Sequence, residues 1–272
     1  MTAVLSMMLA FILVVQAYRH KDSHRAAELI AESYARMSYE DFYPRGDIQY
    51  DLLRPLHNKA VLLLSGAMPV VVADCLLRFI VMSVMFLFLS ECFSAQSLLF
   101  IFLSFMFSES YNIRNTKALI HGMLFMLFVY FTPISFTACF VIICVSALNM
   151  ECSCLFAVYY FLCTGDYFRA AGMFIAVLSA GMIIKNHYLG TIKIRIPFQL
   201  YHGYLFRGMR AWRTCIVIGV IMLIPFIMGS IDMLSPICLT GMVFSVYAFC
   251  FPEACEPKNW LVPYISFVLA GL

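Results

Sequence analysis

The segment that decides the fold covers residues 60–91 and reads AVLLLSGAMPVVVADCLLRFIVMSVMFLFLSE. It is almost continuously apolar and does not alternate between apolar and polar positions, which is typical of buried or membrane helices rather than of barrel strands. The run is longer than the roughly 20 residues of one spanning helix, and Gly66 and Pro69 are expected to break it near its start. Asp74 and Arg78 interrupt it with charge, which is costly in lipid.

The composition of the whole chain extends this interpretation. Of its 272 residues, 63% are apolar and 12% are charged, whereas soluble domains are roughly half apolar and a quarter charged. We therefore predict one integral membrane domain over residues 1–272, an all-α polytopic bundle of about seven to nine spanning helices. The predicted location is a bacterial inner membrane, with the lipid bilayer as its surroundings. The net charge of +3 is too small to indicate a nucleic-acid partner.

The N-terminal part of the chain divides into two segments. Residues 1–18 are apolar and lack a basic start and a cleavage site, so they are expected to form a retained first helix. Residues 19–59 are polar, and apolar positions at helical spacing indicate that this loop between the first two helices is partly amphipathic. It is interpreted either as a helix on the membrane surface or as an element that docks a substrate or partner.

Two aspartates stand beside strongly apolar segments. Asp74 has Arg78 four residues later, and Asp166 has Arg169 three residues later, within the segment CTGDYFRAAG at residues 163–172. One interpretation is that each carboxylate pairs with its own arginine at a helix end. The other is that packing brings both carboxylates to one membrane face, where they share a proton and activate a water for peptide hydrolysis without a metal or cofactor.

Three segments of the chain resemble motifs of a known protease family, and this resemblance favours the second interpretation. Residues 74–80, DCLLRFI, resemble the first aspartate motif of the short-form type IV prepilin peptidases. Residues 163–172 resemble their second motif, with Cys163 in place of its first glycine and Phe168 in place of its lysine. Residues 196–203, IPFQLYHG, are similar to their Pro-Phe-Gly-Pro segment, so that the resemblance covers about residues 70–205 in the family's order.

This resemblance implies a function. The chain would be a membrane-embedded aspartic peptidase that cleaves the leader of a pilin-like, membrane-inserted precursor peptide, with Asp74 and Asp166 as its catalytic pair. Gly165 would let the substrate backbone approach, and Arg78 and Arg169 would tune the pair or contact lipid headgroups. No metal and no cofactor is implied.

Two other classes of function fit the sequence. The segment SYNIRN at residues 110–115 is loosely similar to an arginine-bearing joint in membrane polysaccharide polymerases, and Arg114 would then bind the diphosphate of a lipid-linked sugar. Alternatively, the chain is a non-catalytic membrane component of a secretion or conjugation apparatus, held within a larger envelope complex. That alternative requires no catalytic residue.

The histidines and cysteines do not show metal-ligand spacing. Of the six histidines, His121 lies within an apolar segment, and we predict for it a hydrogen-bonded packing role. Most of the eleven cysteines lie in apolar runs, where they are expected to pack as small hydrophobic residues.

Overall fold

A computed structural model describes residues 2–18, 55–92, 116–189, 219–220, 223, 232–250 and 261–270. These parts of the chain are helical and contain no strand, which confirms the predicted all-α class. The helices are α1 (Thr2–Tyr18), α2 (Pro55–Ser65), α3 (Val70–Cys92), α4 (Thr116–Phe131), α5 (Phe136–Ala147), α6 (Phe156–Thr164), α7 (Tyr167–Leu189), α8 (Pro236–Cys250) and α9 (Leu261–Ala270), with a 3-10 turn at Glu151–Leu155.

The structure confirms part of what the sequence predicted for the N-terminal segments. Helix α1 confirms the predicted first helix. Residues 55–59, which the sequence placed in the polar loop, form the beginning of α2, and residues 19–54 of that loop lie outside the described residues. The Pro55 ring suits the first position of a helix, where a backbone N–H is not needed.

The apolar run of residues 60–91 is broken where its sequence predicted. Helix α2 ends at Ser65, and α3 begins directly after Pro69, whose carbonyl oxygen accepts the first helical hydrogen bond from the Ala73 N–H at 2.9 Å. Asp74 and Arg78 do not form a break of their own. They lie within α3, one turn apart on the same face.

Helix α3 is the one helix in the described parts that is long and apolar enough to cross a membrane, through its segment Val70–Leu89. The other apolar helical segments of these parts are between 10 and 17 residues long, among them Tyr167–Ile183 within α7. Helix α1 lies along α3, and α4 packs between α3, α5 and α9.

Aromatic side chains of three helices fill the centre of the bundle. The Phe156 ring centroid lies 5.2 Å from that of Phe125, 5.3 Å from that of Phe128 and 6.0 Å from that of Phe244. The rings are tilted rather than face to face, which is the preferred arrangement of aromatic pairs. This cluster joins α4, α6 and α8.

The chain direction defines two ends of this bundle. Helix α4 starts at Thr116, and α5 returns beside it, so that the Asn149 side-chain amide donates to the Lys117 carbonyl oxygen at 2.7 Å. We call this the Thr116 end. Helix α6 then runs to the other end, the Phe131 end, where the Tyr160 and Phe136 ring centroids are 6.0 Å apart.

Glycine allows α9 to approach its neighbours closely. A Cβ added at Gly241 of α8 would lie 2.8 Å from the Ser266 Cβ and 2.9 Å from the Phe267 Cε1. We expect Gly241→Ala to lower the free energy of unfolding by about 1–3 kcal/mol, because the two helices must separate. The measurement is the midpoint of denaturant unfolding of the purified chain in detergent micelles.

Gly172→Ala in α7 is the matched control. No atom lies within 4 Å of a Cβ added at Gly172, so alanine is expected to be neutral or to stabilise the helix by up to ~1 kcal/mol. Equal midpoints for the two variants would contradict the close packing of α8 on α9.

Candidate functional site

The Asp74 carboxylate is buried in the first turns of α3, with 4% of the residue exposed. Its Oδ1 accepts hydrogen bonds from His57 Nε2 and from the Thr116 hydroxyl, each at 2.9 Å. Its Oδ2 accepts from Arg78 Nε at 2.8 Å and lies 2.7 Å from Arg78 Nη2 in the same ion pair. Each carboxylate oxygen therefore has two donors.

These donors come from three different helices. His57 belongs to α2, Arg78 to α3 itself, and Thr116 is the first residue of α4. The other ring nitrogen of His57, Nδ1, lies 3.0 Å from the Asn58 Oδ1, and Asn58 is fully buried. The ion pair thus continues into a hydrogen-bonded network that ties α2 and α4 to α3. We call His57, Asp74, Arg78 and Thr116 the Asp74 cluster.

The geometry of the Asp74 cluster limits its chemistry. An ionised carboxylate has about four positions for hydrogen bonds, and four donors occupy them. A general base must keep a lone pair within hydrogen-bond reach of the proton that it removes, and here each such position already faces a side-chain donor. The arrangement is that of a buried charge compensated by a guanidinium and neighbouring donors.

Asp166 lies in a different setting, at the junction between α6 and α7. Gly165 follows the end of α6 in the left-handed conformation, with φ of 71°, which favours glycine. Asp166 then caps α7, because its Oδ1 accepts the Arg169 backbone N–H at 3.0 Å. Its Oδ2 lies 3.3 Å from Arg169 Nε, and its side chain is 35% exposed.

The structure does not bring Asp74 and Asp166 together. Asp74 is bonded to Thr116, at the start of α4, whereas the Arg169 partner of Asp166 lies with its guanidinium carbon 5.0 Å from the centroid of the Phe136 ring, beyond the far end of α4. The 16 residues of α4 correspond to a separation of roughly 20 Å at 1.5 Å per residue. One water cannot contact both carboxylates across that distance.

Each of the two helix-spaced ion pairs is present in the structure. The Asp74–Arg78 pair is buried, and the Asp166–Arg169 pair is half exposed. Gly165 terminates a helix, and Arg169 stacks on an aromatic ring. Arg114, the proposed diphosphate contact, lies outside the described residues.

Sequence reasoning missed two members of the Asp74 cluster. His57 stands 17 residues before Asp74, and Thr116 stands 42 residues after it, so no helical or turn spacing connects them. The usable signal is indirect, because a carboxylate in an apolar segment requires donors from elsewhere in the chain. It does not tell which donors these are.

A second buried polar group lies on α4, one to two turns from the Asp74 cluster. His121 is 2% exposed, and its Nδ1 lies 3.1 Å from the Ser146 Oγ. Its ring stacks on Phe156 with 5.0 Å between ring centroids. The predicted hydrogen-bonded packing role of His121 is confirmed.

No protein-family model, no curated protein and no solved structure matches this chain. The resemblance to the prepilin peptidases therefore rests on the motif residues alone.

Substitution by asparagine is expected to affect stability differently at the two aspartates. Asp74→Asn removes the anion to which Arg78 and His57 donate, and loss of one partner of a buried ion pair typically costs about 3–5 kcal/mol. Asp166→Asn keeps a helix cap of equal quality, because asparagine and aspartate cap helices about equally well. We expect a large loss of unfolding free energy in the first variant and a change within about 0.5 kcal/mol in the second.

Denaturant unfolding of both purified variants in detergent checks this expectation. Thr116→Val is a milder control. Valine has nearly the shape of threonine but lacks the hydroxyl that donates to Asp74, so this variant is expected to lose about 1 kcal/mol of unfolding free energy. An unfolding free energy of Asp74→Asn equal to that of the wild type would contradict the conclusion that the hydrogen bonds of Asp74 hold α2, α3 and α4 together.

Proposed function

We propose that this chain is an integral protein of a bacterial inner membrane, with about seven to nine spanning helices, and that it serves as a non-catalytic component of a secretion or conjugation apparatus. The observation that carries the proposal is the saturation of the Asp74 carboxylate by four donors from three helices. A side chain so engaged holds the bundle together and has no free position for a reacting water.

The membrane location is supported by composition and by helix surfaces. The chain is 63% apolar, and α3 contains a segment long enough to span a bilayer. Large apolar side chains point outward from the bundle on α1 and α7, among them Phe11 at 61%, Phe168 at 74% and Ile175 at 62% exposure. Such surfaces suit lipid or the helices of neighbouring membrane proteins.

The role of Asp166 gives further support for a non-catalytic function. Its carboxylate accepts a backbone N–H in the first turn of α7 and contacts the Arg169 side chain. Gly165 provides the turn that precedes Asp166. A helix junction accounts for both residues, and it requires no substrate. The peptidase and polymerase hypotheses, with Asp166 and Arg114 as their respective test positions, stay predictions.

Asp166→Asn is the decisive substitution between component and peptidase. Asparagine preserves the cap but cannot act as a catalytic acid or base, so the variant separates folding from catalysis. We expect cells that carry this variant to process a pilin-like precursor as completely as wild-type cells do. The measurement is the ratio of precursor to mature peptide on immunoblots, with the variant quantified in the membrane fraction.

Asp166→Ala provides the control for structure, because it removes the cap and is expected to cost about 0.5–2 kcal/mol. Loss of processing in Asp166→Asn, with normal amounts of the chain in the membrane, would overturn the non-catalytic proposal and favour the peptidase. Loss of polysaccharide chain length in Arg114→Ala cells would overturn it in favour of the polymerase.

A further inference from the structure

The helices on one side of the bundle are shorter than a bilayer is thick. Helix α5 has 12 residues, which correspond to about 18 Å, and α4 has 16 residues, which correspond to about 24 Å. The five residues of the 3-10 turn and the nine of α6 together cover about 24 Å. The hydrocarbon core of a typical bilayer is about 30 Å thick.

Hydrogen bonds fix both ends of α5. The Ser135 side-chain oxygen caps its start by accepting the Ala138 N–H at 3.3 Å. Past its end, the Asn149 N–H donates to the Ser146 carbonyl oxygen at 2.9 Å, and the Asn149 side-chain amide donates to the Lys117 carbonyl oxygen at 2.7 Å. Lengthening α5 to fit a thicker bilayer would break these hydrogen bonds.

The Phe131 end carries the features of a membrane–water boundary. Arg169 is 55% exposed, and charge of this kind is costly in hydrocarbon. Its guanidinium carbon lies 5.0 Å from the Phe136 ring centroid and its Nε lies 3.3 Å from Asp166 Oδ2, so the side chain is held against the protein instead of extending along the bilayer normal. Beside it the exposed rings of Tyr167 and Phe168 are 4.0 Å apart. Aromatic rings are typical of the interfacial layer.

Helix α7 gives an independent measure of the apolar height. Lys185 follows Arg169 by 16 residues on this helix, which correspond to about 24 Å. The sequence between them, AAGMFIAVLSAGMII, contains no charged residue. Large apolar side chains on this stretch are exposed, namely Phe174, Ile175, Leu178, Met182 and Ile183. The apolar stretch of α7 is therefore as short as α4.

The α3 side of the molecule is taller. Its apolar segment Val70–Leu89 has 20 residues, which correspond to about 30 Å. The Phe88 ring lies 5.7 Å from the Tyr130 ring, so α3 ends at the Phe131 end. Its start extends one turn past Asp74, which is bonded to the Thr116 end. Leu63 of α2, seven residues before this start, is 82% exposed, so apolar surface continues there.

We propose that the outer surfaces of α5 and α7, which pack against each other, bind phospholipid in a bilayer thinned locally to about 20–24 Å, whereas α3 contacts a bilayer of ordinary thickness. A short apolar stretch is accommodated by thinning of the bilayer, by extension of flanking side chains or by association of chains. The contacts of Arg169 restrain the second of these responses. The inference rests on the proposed membrane location.

The test compares lipids at two reporter positions. Val141→Trp places a fluorophore at the middle of α5, where Val141 is 54% exposed, and Ile80→Trp places one at the middle of α3, where Ile80 is 46% exposed. Each is made in the full chain with Trp212 and Trp260 replaced by phenylalanine. The chains are reconstituted in vesicles of brominated dioleoyl-phosphatidylcholine mixed with one unbrominated phosphatidylcholine, from dimyristoleoyl to dierucoyl. Quenching of tryptophan fluorescence gives the relative binding constant of each lipid at each position.

The two positions are expected to prefer different lipids. At position 141, dimyristoleoyl-phosphatidylcholine is expected to bind about twofold or more tightly than the dierucoyl lipid, because the cost of mismatch grows with each ångström. At position 80, the dioleoyl lipid is expected to bind best. The same optimum at both positions, or an optimum at position 141 with chains as long as oleoyl or longer, would overturn the inference.

Two further outcomes separate this inference from the proposed function. Quenching at position 80 without quenching at position 141 would show that protein covers α5, which overturns the lipid assignment and leaves the membrane location intact. Absence of quenching at both positions, with release of the chain from the vesicles by alkaline carbonate, would overturn the membrane location together with the inference.

Discussion

The fold depends on one buried charge. Asp74 lies in an apolar helix, where an unpaired carboxylate would cost several kcal/mol, and its three hydrogen bonds and the ion pair with Arg78 involve donors from α2, α3 and α4. Because His57 and Thr116 are distant in sequence, satisfying this one group fixes how α2 folds back beside α3 and where α4 begins. The apolar faces of α2, α3 and α4 then pack around the Asp74 cluster, whose hydrogen bonds form in few relative registers of these helices.

The polar interior is concentrated towards the Thr116 end. The Asp74 cluster lies there, and the Asn149 side chain joins the end of α5 to the start of α4 through the Lys117 carbonyl oxygen. The group around His121 and Cys152 lies one to two turns further along α4. At the Phe131 end, by contrast, Asp166 serves a helix junction that is half open to its surroundings.

The junction at Gly165 and Asp166 shows why a short motif can carry two meanings. A glycine followed by an aspartate ends one helix and begins the next, because glycine adopts positive φ and aspartate caps the following N–H groups. The same pair in a membrane protease would place a carboxylate at the membrane edge. The Gly-Asp pair is the same in both cases, and the location of the second carboxylate distinguishes them.

Sequence alone determined the helical class, the first helix and the break between Gly66 and Pro69, and it offered the two arginines as one of two interpretations of the aspartates. All of these depend on composition or on neighbours within about one helical turn, which the chain displays directly. Tertiary structure decided that His57 and Thr116 complete the Asp74 cluster and that Asp166 lies roughly 20 Å away. The reason is that hydrogen bonds across 17 and 42 residues arise from helix packing, and no periodicity along the chain encodes them.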